Sequence, residues 1–87
     1  MSELFDKAAQ ELGPGTSQFK VLVFLAFRNA STPSVISEET GILAGTVRPA
    51  LRALLEKGYV KQGEDGTYKS VIPFTDIIST LYMINKK

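Results

Sequence analysis

Apolar residues between positions 47 and 55 recur every three or four residues, which is the spacing of a helix with one buried face. The residues on that face are Val47, Leu51, Leu54 and Leu55. A glycine follows at position 58, and glycine commonly ends a helix because it adopts a left-handed backbone conformation. The pattern therefore predicts an amphipathic helix that starts between Ala44 and Thr46 and ends before Gly58.

The pattern changes from helical to extended after Gly58. Residues 59–62 and 67–72 are predicted strands, and the sequence between them, Gly63-Glu64-Asp65-Gly66, is a glycine-rich signal for a hairpin turn. Pro73 ends the second strand, because proline has no amide hydrogen to donate to a sheet. This part of the chain therefore predicts a small antiparallel β-hairpin.

Two further amphipathic helices are predicted near the ends of the chain. The first runs from a cap at Ser2 to about Leu12, and the last runs from Phe74 to about Asn85. The segment 13–15, which reads Gly-Pro-Gly, is a strong break after the first of them.

A helix buried on more than one side is predicted next. It begins near Thr16 or Ser17 and runs to about Asn29, and its middle, 21–27, is apolar nearly all the way round. A shorter helix follows it.

The shorter helix has a clear start and a clear end. Thr32 is suited to cap it, Pro33 is suited to its first position, and it is expected to run to about Thr40. Gly41 then supplies a sharp turn before the amphipathic helix.

The start of the amphipathic helix can be placed in two ways. If Leu43 precedes the first turn, Pro49 lies inside the helix and removes one backbone hydrogen bond. If Thr46 is the N-cap instead, Pro49 falls within the first turn, whose amide hydrogens have no partner in the helix. The choice affects which side chains point outward.

The segment from Thr32 to Val60 resembles two helices of a known class of DNA-binding proteins. It reads T-P-S-V-I-S-E-E-T-G-I, a short turn, and then T-V-R-P-A-L-R-A-L-L-E-K-G-Y-V. This is similar to the second and third helices of winged helix-turn-helix transcription regulators, with the MarR-type and TrmB-type families closest in style. The resemblance implies a small sequence-specific DNA-binding protein, usually dimeric, with the third helix in the major groove and the hairpin, or wing, beside a minor groove. A Ser or Thr is common at the N-cap of that third helix, where this chain has Leu43.

The expected fold is mainly α with a small β-hairpin (α+β), a winged helix-turn-helix with extra N-terminal and C-terminal helices. Eighty-seven residues are enough for one domain with one modest core. We expect a single domain over 1–87, with an N-terminal helix in 1–13, a winged-helix core in 16–73 and a C-terminal helix in 74–87.

Composition excludes several kinds of chemistry. The chain contains no histidine and no cysteine, so it lacks the commonest general base, the thiol nucleophile and the usual nitrogen and sulfur metal ligands. It also shows no glycine-rich phosphate loop with a following lysine. We therefore expect no enzyme, no cofactor and no metal. No signal peptide or membrane-spanning run is apparent, which favours a cytoplasmic location.

Charge is nearly balanced but unevenly distributed. The formal net charge is +1, whereas dedicated nucleic-acid binders are usually more basic. The first fifteen residues carry three acidic side chains and one basic one, while the range 48–69 carries five basic and three acidic side chains. Positive charge is therefore concentrated, mildly, in the predicted third helix and hairpin.

The candidate DNA-binding residues are Thr46, Arg48, Pro49, Arg52, Lys61 and Lys69. Arg48 and Arg52 are four residues apart on a polar helix face and can reach guanine edges or phosphates. The alternative is that they solvate that face, with Arg52 paired to Glu56. The two lysines flank the hairpin and are suited to backbone phosphates, whereas the acidic tip of the hairpin would be repelled by them.

The terminal helices are expected to form a two-fold homodimer. The alternative is that they fold back on the core of one chain. The residues assigned to the dimer interface are Leu4, Phe5, Leu12, Phe74, Ile77, Ile78, Leu81 and Tyr82.

The leading hypothesis is a transcriptional regulator that binds double-stranded DNA as a homodimer, with no membrane or metal partner. The competing hypothesis is a winged-helix adaptor that binds another protein and no DNA. The near-neutral charge and the acidic hairpin tip favour the adaptor.

Overall fold

The computed structural model describes the backbone of residues 3–13 and 15–85, and the side chains of 5–13, 15–79 and 82. The expected cap at Ser2 lies outside the described residues. The described chain forms five helices and two strands: α1 (Glu3–Leu12), α2 (Ser17–Phe27), α3 (Pro33–Thr40), α4 (Ala44–Lys57), β1 (Val60–Gln62), β2 (Tyr68–Ser70) and α5 (Phe74–Asn85). The fold is therefore mainly helical with one small antiparallel sheet, as the sequence predicts.

Helices α2 and α3 begin at hydroxyl caps. The Oγ of Thr16 accepts a hydrogen bond from the Phe19 amide at 3.2 Å, and the Oγ of Thr32 accepts one from the Val35 amide at 3.3 Å. Each bond satisfies an amide hydrogen that has no partner within the helix. The expected bounds of α3 are confirmed, whereas α2 ends at Phe27 and not near Asn29.

The early end of α2 follows from a pairing that the sequence analysis did not predict. The backbone turns extended at position 28, with φ −120° and ψ 162°. Ser31 then exchanges two backbone hydrogen bonds with Tyr68, at 2.9 and 2.8 Å. This isolated bridge adds a third short extended segment beside β2, and the chain must leave the helix to reach it.

Helix α4 begins at Ala44, and the residue at its N-cap position is Leu43. The interpretation of Thr46 as the N-cap is wrong, because Thr46 is the third residue of the helix and its amide bonds to the Leu43 carbonyl at 2.8 Å. Pro49 consequently lies inside the helix, beyond the first turn. The preceding turn fixes this start: Gly41 ends α3 with φ 79°, and the Ser37 hydroxyl donates to the Ile42 carbonyl at 2.6 Å.

The two strands pair antiparallel, and each is shorter than expected. Lys61 lies opposite Lys69, with Val60 opposite Ser70 and Gln62 opposite Tyr68. The turn between them closes through a bond from the Gly63 amide to the Thr67 carbonyl at 2.7 Å.

The core is built where α4 packs against α2, with α3 and the hairpin closing its sides. Helices α1 and α5 also fold onto this core. The buried apolar residues are Phe5, Ala8, Leu12, Val21, Leu22, Leu25, Ile36, Val47, Ala50, Leu51, Leu54, Tyr59, Val60, Ile72 and Ile77.

This packing corrects part of the expected dimer interface. Phe5, Leu12 and Ile77 are buried in the chain's own core, so they offer no apolar surface to a second copy. The side chains of Leu4 and Leu81 lie outside the described residues. The remaining members of that set are exposed: Phe74, Ile78 and Tyr82.

A buried phenol ties α1 to the segment after α4. The hydroxyl of Tyr59 donates to Oε1 of Glu11 at 2.6 Å, and Lys57 Nζ lies 3.7 Å from Oε2 of the same carboxylate. Burial, reinforced by the adjacent carboxylate, raises the pKa of Tyr59 to about 12. The hydrogen bond from Tyr59 in turn lowers the pKa of Glu11.

We expect Tyr59 to titrate near pH 12 in the folded protein, well above the value of about 10 for a free tyrosine. Because folding favours the neutral phenol, its contribution to stability is complete below about pH 10 and is lost as the pH rises toward about 12. Glu11→Gln removes the anion but keeps the burial, so it should lower the Tyr59 pKa without returning it to the free value. Ultraviolet absorbance of tyrosinate measures this, and Tyr59→Phe assigns the signal. Three tyrosines that all titrate near the free value would contradict the prediction.

Candidate nucleic-acid interface

The outward face of α4 carries two exposed arginines. Val47 and Leu51 are buried on the opposite side of this helix, at 0% and 1% exposure, whereas Arg48 and Arg52 are exposed. The alternative in which Arg52 pairs with Glu56 is not observed, and neither arginine pairs with any acidic residue that the structure describes. Both guanidinium groups therefore keep their full hydrogen-bonding capacity for a ligand.

The first turn of α4 begins with two residues that have minimal side chains, Ala44 and Gly45. Residues 43–46 are all exposed, as is Pro49. A Cβ added at Gly45 would meet no atom within 4 Å, so the packing of the fold does not require glycine there. The turn also begins without a side-chain cap, which leaves early amide hydrogens available to a ligand. An extended partner can approach the backbone closely at this point.

Polar groups of α2 lie beside this turn. Thr16, Ser17 and Gln18 line a shallow groove together with residues of α4 that include Thr46 and Pro49. Hydroxyl and amide side chains of this kind are common phosphate ligands. No pattern in the sequence predicts this groove, because the start of α2 and the start of α4 are far apart in the chain and only tertiary packing brings them together.

The hairpin places two lysines directly opposite each other. Lys61 and Lys69 are cross-strand partners, so their side chains project from the same face of the two-stranded sheet. Both are exposed, whereas Tyr68 is half-buried and packs against the core. Neither lysine has an ion-pair partner among the described residues. The two ammonium groups therefore form a small cationic site.

The tip of the hairpin is acidic and folded upon itself. Asp65 accepts hydrogen bonds from the Thr67 hydroxyl at 2.7 Å and from the Thr67 amide at 3.2 Å. These bonds lower the pKa of Asp65 and hold it as a carboxylate. Asp65 and Glu64 line the same open concavity as the two lysines, so a phosphate backbone is favoured at the lysines and disfavoured at the tip.

Two acidic residues outside the hairpin, Glu39 and Glu11, are each engaged by a nearby cation. Glu39 on α3 pairs with Arg28, whose Nη2 lies 3.2 Å from Oε2 of that carboxylate. Glu11 is held by Tyr59 and Lys57. The negative charge of these two carboxylates is therefore partly neutralised within the fold, whereas Arg48, Arg52 and the two hairpin lysines have no ion-pair partner among the described residues.

An apolar surface lies on α5 and the end of α2. Phe74, Ile78 and Tyr82 follow one another at four-residue steps and are 43%, 41% and 61% exposed. The ring of Phe27 meets that of Phe74 edge to face, with centroids 4.7 Å apart. We call these four residues the α5 patch. Phe74, Ile78 and Tyr82 are the members of the expected dimer interface that remain exposed among the described side chains, and Phe27 of α2 adjoins them.

Removing one of the opposed lysines should stabilise the isolated protein. Like charges directly across a strand pair repel each other, so Lys69→Gln is expected to raise the free energy of unfolding by a few tenths of a kcal/mol, and more at low salt because less salt screens the repulsion. Urea unfolding at two salt concentrations measures this. Lys20→Gln, which removes an exposed charge from α2, is the control. An equal effect of both substitutions would show that total charge, and not this pair, is responsible.

Comparisons with models of protein families and with curated proteins found no match to this chain. No helix in the described part of the chain is long and apolar enough to cross a membrane. The described residues also contain no group of acidic side chains arranged to hold a metal ion.

Proposed function

We propose that the chain is a small, cytoplasmic, sequence-specific double-stranded DNA-binding transcriptional regulator that acts as a homodimer. In this proposal α3, the turn at Gly41 and α4 are a helix-turn-helix, and the β-hairpin is its wing. The observation that carries the proposal is the pair of exposed arginines on α4, which lie opposite the buried stripe that fixes the helix to the core and have no ion-pair partner among the described residues. No catalytic role is proposed, because the sequence supplies neither histidine nor cysteine.

The two sets of basic residues have different roles in this proposal. Arg48 and Arg52 enter the major groove, where a guanidinium group can donate two hydrogen bonds to O6 and N7 of guanine. Lys61 and Lys69 contact phosphates and hold the protein in register without reading sequence. Thr46 and Pro49 lie at the edge of the same helix face, where the threonine hydroxyl can donate to a phosphate.

Dimerisation compensates for the weak basicity of one chain. A net charge of +1 gives little long-range attraction to DNA. A two-fold dimer doubles the number of phosphates neutralised and steepens the dependence of affinity on salt. It also matches a pseudo-palindromic site whose half-sites lie about 34 Å apart, one turn of the duplex.

The α5 patch is the proposed dimer surface. Exposed apolar patches commonly mark interaction surfaces, and the patch contains three aromatic rings and no charged side chain. Two copies of such a surface can meet across a two-fold axis without like-charge repulsion.

A protein-interaction adaptor is the second candidate function. The α5 patch favours it equally well, because a different protein can cover an apolar surface as readily as a second copy can. The acidic hairpin tip and the near-neutral charge also fit this candidate. It differs from the first in predicting no duplex binding even at low salt.

Loss of both arginines should abolish specific DNA binding. Each bidentate contact to a base contributes about 1–3 kcal/mol, so Arg48→Ala with Arg52→Ala should weaken binding to a selected site by about thirtyfold or more. Fluorescence titration against a site from random-sequence selection, at fixed salt, measures this. Lys7→Ala with Lys20→Ala removes the same charge from exposed positions on α1 and α2 and should cost far less. Unchanged affinity of the arginine variant would exclude α4 as the reading helix.

A charge placed in the α5 patch should produce monomers. Ile78→Lys buries an ammonium group in the proposed interface, where desolvation is costly, whereas Ser79→Lys adds the same charge to the neighbouring exposed position of the same helix. Light scattering with size-exclusion chromatography should show a dimer for the wild type and for Ser79→Lys, and a monomer for Ile78→Lys. A wild-type protein that is monomeric at micromolar concentration would refute this dimer.

A further inference from the structure

Leu43 is the most exposed large hydrophobic residue that the structure describes, at 77% exposure. It stands at the N-cap position of α4, where Ser, Thr, Asp and Asn are strongly preferred because their side chains bond to the first amides. Leucine cannot make that bond. The position therefore lacks a stabilising cap and also exposes an apolar side chain to water.

The fold gives no reason for leucine at this position. The backbone of Leu43 has φ −59° and ψ 142°, a conformation that most residues adopt readily. Its neighbour Ile42 is the residue of this turn that packs against the core. A serine at position 43 would fit the same backbone and would cap the helix, so neither the backbone nor the packing of the fold requires the leucine.

We propose that Leu43 reads the C5-methyl group of a thymine in the major groove, an inference that rests on the DNA-binding function proposed above. The N-terminal residues of a recognition helix are those that approach base edges, and Leu43 directly precedes the first turn of α4. The thymine methyl is the apolar group that bases present in the major groove. The exposed side chain of Leu43 is also apolar and can pack against that methyl group.

The surroundings of Leu43 allow this contact. Ala44 and Gly45 follow it with minimal side chains, both exposed, and a Cβ at Gly45 would point into open space. The start of the helix can therefore approach the base edges closely. Arg48 is exposed one turn further along, so the thymine read by Leu43 should lie within a few base pairs of a guanine read by Arg48.

The test compares thymine with deoxyuridine, which lacks the methyl group and keeps every hydrogen-bonding atom. A binding site is first obtained by random-sequence selection with the wild-type protein, and each thymine in a half-site is then replaced in turn. Removing a methyl group from an apolar contact should weaken wild-type binding about fourfold at one position. Leu43→Ala and Leu43→Ser should bind the thymine and deoxyuridine sites equally.

Thermal unfolding of both variants keeps the result interpretable. Leu43→Ser supplies a hydroxyl cap and should be at least as stable as the wild type, so loss of discrimination cannot be attributed to misfolding. Binding of the wild type that is insensitive to every thymine replacement would overturn the inference while leaving the DNA-binding function intact. A thymine effect that persists in Leu43→Ala would overturn it too. Failure of the wild type to bind any duplex at low salt would overturn both the function and this inference.

Discussion

The burial of one stripe of α4 against α2 determines what the rest of the molecule can present. Val47, Leu51 and Leu54 are at most 1% exposed, and burying side chains of this size contributes about 1.5–3 kcal/mol each. Rotating α4 about its axis would expose these residues and bury the guanidinium groups of Arg48 and Arg52 without partners, which is costly. The hydrophobic contact therefore fixes the direction of the arginines more firmly than any polar interaction of their own.

Local signals in the sequence predicted the helices and strands well. They did not predict contacts between residues that are far apart in the chain. The start of α3 follows from Thr32 and Pro33, its end follows from Gly41, and the hairpin turn follows from its two glycines. The end of α2 was placed too late because the pairing of Ser31 with Tyr68 joins segments far apart in the chain. The sequence left two placements for the start of α4, and the turn after α3 selects the one in which Leu43 precedes the first turn. The polar groove at Thr16 depends on tertiary packing and has no signature in the linear pattern.

The terminal helices show why an amphipathic stripe does not by itself identify an interface. Both stripes were assigned to a dimer from their spacing, yet Phe5, Leu12 and Ile77 complete the core of a single chain. A core of this size needs those residues, because a short chain buries a smaller share of its surface than a long one. On α5 the stripe is wider than the core can cover: Ile77 faces inward while Ile78, the next residue, is 41% exposed. The exposed part of this stripe is therefore apolar surface that the core of one chain does not cover.

The outward side of the first turns of α4 departs from the rules that the rest of the chain obeys. Gly45 lies in the first turn of the helix although glycine has a low helix propensity, and the space around it would accept a side chain. Pro49 removes a helical hydrogen bond. Leu43 occupies the N-cap position but makes no capping hydrogen bond. Three unfavourable choices within seven residues, next to two unpaired arginines, do not improve packing anywhere in the described chain. Departures from local preference that the fold does not need tend to mark functional surfaces. The residues that lower the stability of α4 and the arginines without ion-pair partners among the described residues therefore lie on the same side of the helix.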